Sequence, residues 1–506
     1  MNNTKRVGIN TMAQYIRTVF NMILALFTVR IVLNTLGASD YGIYTVIAGV
    51  TSMLAFITNA LTSTTQRFMS FYQGKKDVAK MKEVFSNSEF IHLGVGVFFL
   101  VLLFLLQPIL FDGFLNIPVE RVYAAQKVYF IVGCILFTTF CTAPFRALLI
   151  SHENIVYISI IEVLDAVMKV IMVLFLPFIP FDKLIVYVLI LLLLQILNLL
   201  FFATYTFRKY EECILPRTSL INVSYIRELI SYAGWTIYGM GCVIGRTQGI
   251  AILINRFLNT VVNAAYGIGF QLSASVSTIS TAFLNAMRPQ IVKAEGGNDR
   301  DRSIRLSQML CKFSFFLMTA LCVPCVFEMP TLLSLWIKDV PEYTVLFARM
   351  ALIAGMVDTL TLGLSVLNEA IGKIRNYNIV IASTKLMALP LACFFLLKGL
   401  DPFWIAFAYV FAECVSVFIR IPFAKKSAGL DVSIFVKDVL VKESVPLFLM
   451  LAINFVIVTY INIPFRFLVT FGLSLIAYTI FFYIIGLSSF EKGHIIKIIK
   501  SKSNHE

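Results

Sequence analysis

The chain has 506 residues, 59% of them hydrophobic and only 14% charged, with a mean hydropathy of +0.86. A soluble globular protein carries about 25% charged residues, so soluble enzymes, nucleic-acid modules and disulfide scaffolds are excluded and an all-α integral membrane protein is expected. The net charge of +14 does not point to nucleic acid, because Lys and Arg fall in short segments between apolar runs rather than on one face.

The apolar runs are close to the ~20 residues with which an α-helix crosses a ~30 Å hydrocarbon core. Lys5 and Arg6 ahead of the first run imitate a signal peptide, but Arg17 and Arg30 interrupt it and no small-residue cleavage site follows, so a retained helix is expected. Fourteen spans are predicted, at residues 10–34, 41–65, 89–111, 123–143, 156–178, 184–206, 229–254, 262–287, 306–328, 345–368, 378–397, 402–422, 445–462 and 465–487. The distribution of cations tests the count. Of 42 Lys and Arg residues, 28 fall on the side shared by the termini, and only Arg121, Lys183, Arg256, Lys338, Lys398 and Arg466 on the other. One missed span would invert every later loop, so the asymmetry predicts cytoplasmic N- and C-termini.

No outer loop is large enough for a catalytic domain; the longest runs from Thr331 to Tyr343. Asp299-Arg300-Asp301 spells the DxD of some glycosyltransferases, but Gly, Asn and Asp are what a solvated turn contains. Gly239, Gly241 and Gly245 miss the dinucleotide spacing and suit helix packing. The nine cysteines are scattered, and the Cys322/Cys325 pair lies in an apolar stretch without a second pair, so neither a metal nor a redox centre is expected. Neither a Ser/His/Asp constellation nor a P-loop is present, and no catalytic residue is assigned.

The chain repeats itself. Leu36-Gly-Ala-Ser-Asp-Tyr41-Gly42-Ile43 ahead of the second span is matched by Val262-Asn-Ala-Ala-Tyr266-Gly267-Ile268 in the eighth. Each is followed by a Ser/Thr-rich helix, an arginine (Arg67, Arg288), a glycine turn and a charged segment. Six helices between copies preserve orientation, which predicts two parallel six-helix lobes, residues 1–222 and 223–430, about a central cavity. Residues 431–506 form an appended helix pair and basic tail. Thr58 and Asn59 of the second span and Gln271 and Ser275 of the eighth are candidate polar linings of the cavity; the same small polar residues also serve close helix packing.

Charges at bilayer depth cost at least ~2.5 kcal/mol each, so they face a partner or a cavity. Arg17, Arg246, Arg349 and Lys385 have no acid four residues away, which predicts a solvated cationic cavity. Arg30, nearer a span end, snorkels or joins them. A cationic cavity suits an anion, since Arg grips phosphate through a planar fork. Glu162, Asp165, Asp358 and Glu413 are candidate ion-coupling groups, although Asp165 and Lys169 are also placed to neutralise one another.

The paired lobes, the Leu-Gly-Ala-Ser-Asp-Tyr-Gly-Ile-Tyr turn, the Thr-rich helix ending in Gln66-Arg67-Phe68 and the segment Ala143-Pro-Phe-Arg-Ala-Leu-Leu-Ile-Ser-His-Glu-Asn resemble the Wzx-type polysaccharide-biosynthesis flippases. These belong to the multidrug/oligosaccharidyl-lipid/polysaccharide (MOP) exporter superfamily, which includes the MATE-like transporters. The resemblance covers nearly the whole chain but its motifs are diffuse. It implies a non-enzymatic, multi-pass protein of the bacterial inner membrane. Such a protein flips an undecaprenyl-pyrophosphate-linked oligosaccharide for O-antigen, capsule or exopolysaccharide assembly, working with membrane lipids, a glycan polymerase and assembly proteins. No cofactor is implied beyond coupling to H+ or Na+, and no nucleic acid. On this reading Arg17, Arg30, Arg246, Arg349 and Lys385 hold the pyrophosphate. The alternatives are a MATE-like antiporter of drugs or small cations, a peptidoglycan- or teichoic-acid-precursor flippase, and a membrane glycan polymerase. The antiporter predicts an acidic first span and the polymerase a large outer loop, and the sequence has neither.

Overall fold

The computed structural model describes residues 3–52, 54–111, 117–214, 220–337, 340–488 and 491–493, and among them the chain is helical without strands. Among the described residues nine helices are long and apolar enough to cross a membrane, ten if the bent pair Thr344–Thr359 and Leu362–Ile371 counts as one span. The expected spans 1, 2, 5 and 8 also fall on helices; the fifth is apolar but carries Glu162, Asp165 and Lys169 within one run of 21 residues. The chain divides into two compact units, Met1–Ile237 and Tyr238–Glu506.

In the first unit, α1 (Asn3–Ser52) breaks at Gly37, whose φ of 79° is one that glycine adopts without strain. That break is the predicted turn after the first span. The second span differs from expectation: helix α1 runs on to Ser52 and a separate helix α2 spans Ala55–Gly74, so residues 41–65 are shared between two helices. Then come α3 (Val78–Ile109), α4 (Val122–Ser151), α5 (Ile155–Phe175) and α6 (Lys183–Lys209). The centre is α4, with α2, α3 and α6 packed on it, while α5 packs on α1. Phe98, Phe104 and Leu105 of α3 stay exposed, the apolar face that hydrocarbon solvates.

Helix α7 (Val223–Phe257) runs across the boundary between the units. The second unit continues with α8 (Thr260–Gly296), α9 (Arg300–Phe327), the short α10 (Met329–Trp336), α11 (Thr344–Thr359), α12 (Leu362–Ile371), α13 (Ile374–Leu386), α14 (Ala388–Leu397) and α15 (Phe403–Ala428). After α16 (Val432–Phe435), α17 (Lys442–Tyr460) and α18 (Arg466–Phe481) form a pair packed on α9. The Asp299 side chain accepts from Arg302 N at the start of α9, so the DxD motif is a helix cap. Cys322 and Cys325 are buried in apolar packing with Met318, Met329 and Leu352.

Side chains tie the helix ends together in the alternating order a bundle requires. In the first unit Arg121, just before α4, is hydrogen-bonded to Asp40 and Asp182, joining α1, α4 and α6 at one end. At the other end His152 meets Gln73 through Nδ1 and Glu212 through Nε2, and stacks on Tyr210. In the second unit buried Glu328, after α9, receives Arg466 and Thr470 of α18.

Candidate functional site

The bend between α11 and α12 is 50° and leaves helical hydrogen bonds unmade at residues 360–361. A backbone group freed at membrane depth needs a protein partner. Arg420 of α15 supplies it, donating to the Asp358 carbonyl at 3.2 Å, the Asp358 carboxylate at 2.7 Å and the Thr361 hydroxyl at 3.3 Å. The bend is held by close packing. A Cβ on Gly363 would come within 1.9 Å of the Ser307 carbonyl oxygen of α9, so only glycine lets α12 approach.

From Asp358 the charges form a chain across four helices. Lys385 of α13 lies 2.7 Å from Asp358 and also pairs with Glu413 of α15; Arg246 of α7 donates to Glu413 at 2.8 Å and stacks over Tyr409, 3.9 Å from the ring centroid. The Arg246 side chain is 5% exposed and Glu413 3%, whereas Asp358 keeps 29% and opens the network on one side. Three cations thus face two carboxylates, an excess of one positive charge among the described residues.

The first unit contains a smaller version. Glu162 of α5 sits between Arg17 of α1, at 2.7 Å, and Arg146 of α4. One carboxylate again faces an excess cation. Further along α5, Asp165 accepts from Asn198 at 2.8 Å, and a cavity of about 230 Å3 is lined by Asp165, Lys169, Tyr44, Gln195 and apolar neighbours. Asp165 therefore turns to an amide rather than simply pairing with Lys169.

Several expectations need correction. Arg17, Arg246 and Lys385 are not free cations: each meets a carboxylate from another helix, because pairing across a bundle does not depend on i,i+4 spacing. Arg349 stands apart, its Nε donating to the Val326 carbonyl at 2.8 Å. The Arg30 side chain lies outside the described residues. Thr58 is buried, while Asn59, Gln271 and Ser275 are exposed. On α8 the split is systematic: Ser273 is buried and bonds the Ala351 carbonyl, whereas Gln271 and Ser275, one turn apart, present a polar face. Sequence reasoning missed Arg420 and Arg146, both counted as loop cations. Arg420 follows Glu413 by seven residues, two helical turns on the same face, which was the available signal.

A model of polysaccharide biosynthesis proteins matches residues 5–295. No curated protein matches the sequence. Among solved structures the chain is similar to an outward-facing multidrug resistance MATE family transporter of the MOP superfamily, at 12% identity over 85% of this chain and 96% of that one, TM-score 0.72. A MOP superfamily transporter from Pyrococcus furiosus Vc1 (DSM3638), described by a binding pocket of reverse polarity that suggests a different function, gives the same values. The MATE transporter ClbM in complex with Rb+ is 17% identical over 85% and 96%, TM-score 0.69. At these identities the likeness is one of fold.

Proposed function

This chain belongs to the polysaccharide biosynthesis protein family, with a MATE-like transporter fold, and on that premise we propose that it flips an undecaprenyl-pyrophosphate-linked oligosaccharide across the bacterial inner membrane. The observation that carries the reading is the buried cation excess of the second unit. Arg246, Lys385 and Arg420 outnumber Asp358 and Glu413 at a broken helix, where the Asp358 carboxylate keeps part of its surface uncovered. A pyrophosphate entering beside Asp358 would compete for Lys385 and Arg420, exchanging one anionic partner for another instead of desolvating a lone charge. Arg17 and Arg146 around Glu162 offer the same exchange in the first unit.

The exposed amide and hydroxyl groups of Asn59, Gln271 and Ser275 suit the sugars. Residues 1–222 and 223–430 serve as the two lobes of an alternating-access cycle and 431–506 as an appended pair, with both termini cytoplasmic. Glu162, Asp165, Asp358 and Glu413 are the carboxylates through which a proton or sodium gradient would act, and a glycan polymerase would consume the flipped product. The test is mass spectrometry of lipid-linked intermediates from a deletion strain, joined to a sidedness assay on spheroplasts. The expected result is a complete lipid-linked oligosaccharide accumulating on the cytoplasmic face. Normal amount and sidedness, in a strain without a redundant flippase, would refute the proposal and leave a MATE-like antiporter as the reading to pursue.

A further inference from the structure

Glu443 opens the first turn of α17 and is fully buried, with 0% of its surface exposed. Among the described residues neither of its carboxyl oxygens meets a hydrogen-bond donor. The hydroxyls of Thr319 on α9 and Tyr478 on α18, buried against the same helix pair, face each other rather than Glu443.

The charged groups acting on Glu443 are Lys312 of α9 and Glu491 beyond α18, and Glu443 acts in turn on Tyr478. Those two are already committed to each other, with Lys312 Nζ 2.9 and 3.2 Å from the Glu491 oxygens. Along the preceding turn Asp438 pairs with Lys442, and Tyr483 beyond α18 receives Lys492 at the surface, so none of these is free to serve Glu443. An ionised Glu443 would therefore place an uncompensated negative charge beside a neutral pair, at a cost of several kcal/mol even after relaxation. A carboxylic acid carries no such charge.

We propose that Glu443 is a proton-binding site that controls the Lys312–Glu491 contact. With the proton on Glu443, Lys312 stays with Glu491, whose carboxylate also accepts from Ser488 N at 2.7 Å and so fastens the segment after α18 to α9. When the proton leaves for solvent, the new carboxylate recruits Lys312, the cation that faces it, and Glu491 is released. The site lies in the C-terminal helix pair, apart from the charge network of α7, α11, α13 and α15, and does not rest on the substrate proposed above.

The experiment is infrared difference spectroscopy of the full chain in lipid vesicles across a pH titration, comparing wild type, Glu443→Gln and Glu491→Gln. The expected result is a carboxylic-acid C=O band in the wild type at neutral pH that is absent in Glu443→Gln. Because Gln reproduces the neutral acid, that variant should also keep the wild-type thermal midpoint at pH 7. Glu491→Gln frees Lys312 and should lower the pH at which the band disappears by a unit or more, a tenfold loss of proton affinity. An unchanged spectrum in Glu443→Gln, or a lowered midpoint at pH 7, overturns the proposal. Should Glu443→Gln fail to fold, the titration of native Glu443 in Glu491→Gln decides alone, and an unshifted band refutes it.

Discussion

Removing either member of the Arg246–Glu413 pair breaks the same 2.8 Å contact, yet the two losses should differ in size. Glu413 is shared by Arg246 and Lys385, so Glu413→Gln leaves Arg246, Lys385 and Arg420 with only Asp358 and a buried surplus of two positive charges. Stripping one partner from a buried pair costs about 3–5 kcal/mol, and this change should fall at the upper end. Arg246→Met does the opposite: Lys385 and Arg420 remain against Asp358 and Glu413, and the network becomes neutral. What is lost there is the stacking over Tyr409, worth about 2 kcal/mol in a desolvated setting. Thermal midpoints of the purified variants in one detergent should rank wild type, Arg246→Met, then Glu413→Gln. In a flipping assay Arg246→Met, at near-normal expression, should lose activity at least tenfold because the surplus charge that attracts the anion is gone. If Arg246→Met unfolds as early as Glu413→Gln, or flips at the wild-type rate, the account of the network as a held cation excess is wrong.

Three further outcomes follow from contacts outside this network. Burial raises the Glu212 carboxyl, but the hydrogen bond and charge interaction with His152, a backbone contact and the nearby Lys82 together outweigh it and hold the group below the usual carboxylate range. A depressed acid stabilises the fold above its unfolded value and loses that contribution as pH falls. Glu212→Gln should therefore cost about 1–3 kcal/mol at pH 7, a difference from wild type that shrinks as pH falls below the ordinary glutamate value of about 4.3 and is lost through the depressed folded one, in midpoints measured across pH. Arg466→Ala removes two hydrogen bonds from fully buried Glu328 and should cost about 3–5 kcal/mol; adding Glu328→Gln should recover most of it, and a simple sum of the two losses in a double-mutant cycle would contradict the pairing. Gly363→Ala drives a methyl group into the Ser307 carbonyl, so it should cost more than the 1–3 kcal/mol of ordinary overpacking and lower the yield of monodisperse protein.

Much of the fold was legible because membrane spans are written in composition. The turn after the first span showed in Leu36-Gly-Ala-Ser-Asp, where Gly37 alone carries the required φ. That α1 ends at Ser52 and a separate α2 starts at Ala55 did not show, because apolar character continues along the sequence there. The bend after Asp358 was hidden for a different reason: Thr359-Leu360-Thr361 contains no proline, and what holds the bend is an arginine on another helix and the small volume of Gly363. The charged residues of the candidate site were visible one by one, but not their pairing. Glu413 and Arg246 are 167 residues apart, and only the packing of α7, α13 and α15 reveals that acids and bases considered separately form one group. Glu443 was overlooked because it sits just outside the predicted span, where the sequence suggests a solvated loop end.

The bend between α11 and α12 also bears on how the protein is made. The carbonyl freed at Asp358 is served by Arg420, 62 residues later in the chain. While the ribosome is still delivering α13 and α14, that donor does not yet exist, so the nascent bend depends on water or on the insertion machinery for its hydrogen bond. Entry of α15 into the membrane then completes α11 and α12 along with itself. Truncations ending before residue 420 should accordingly be recognised as unfinished by membrane quality-control proteases, even though both α11 and α12 are present in them.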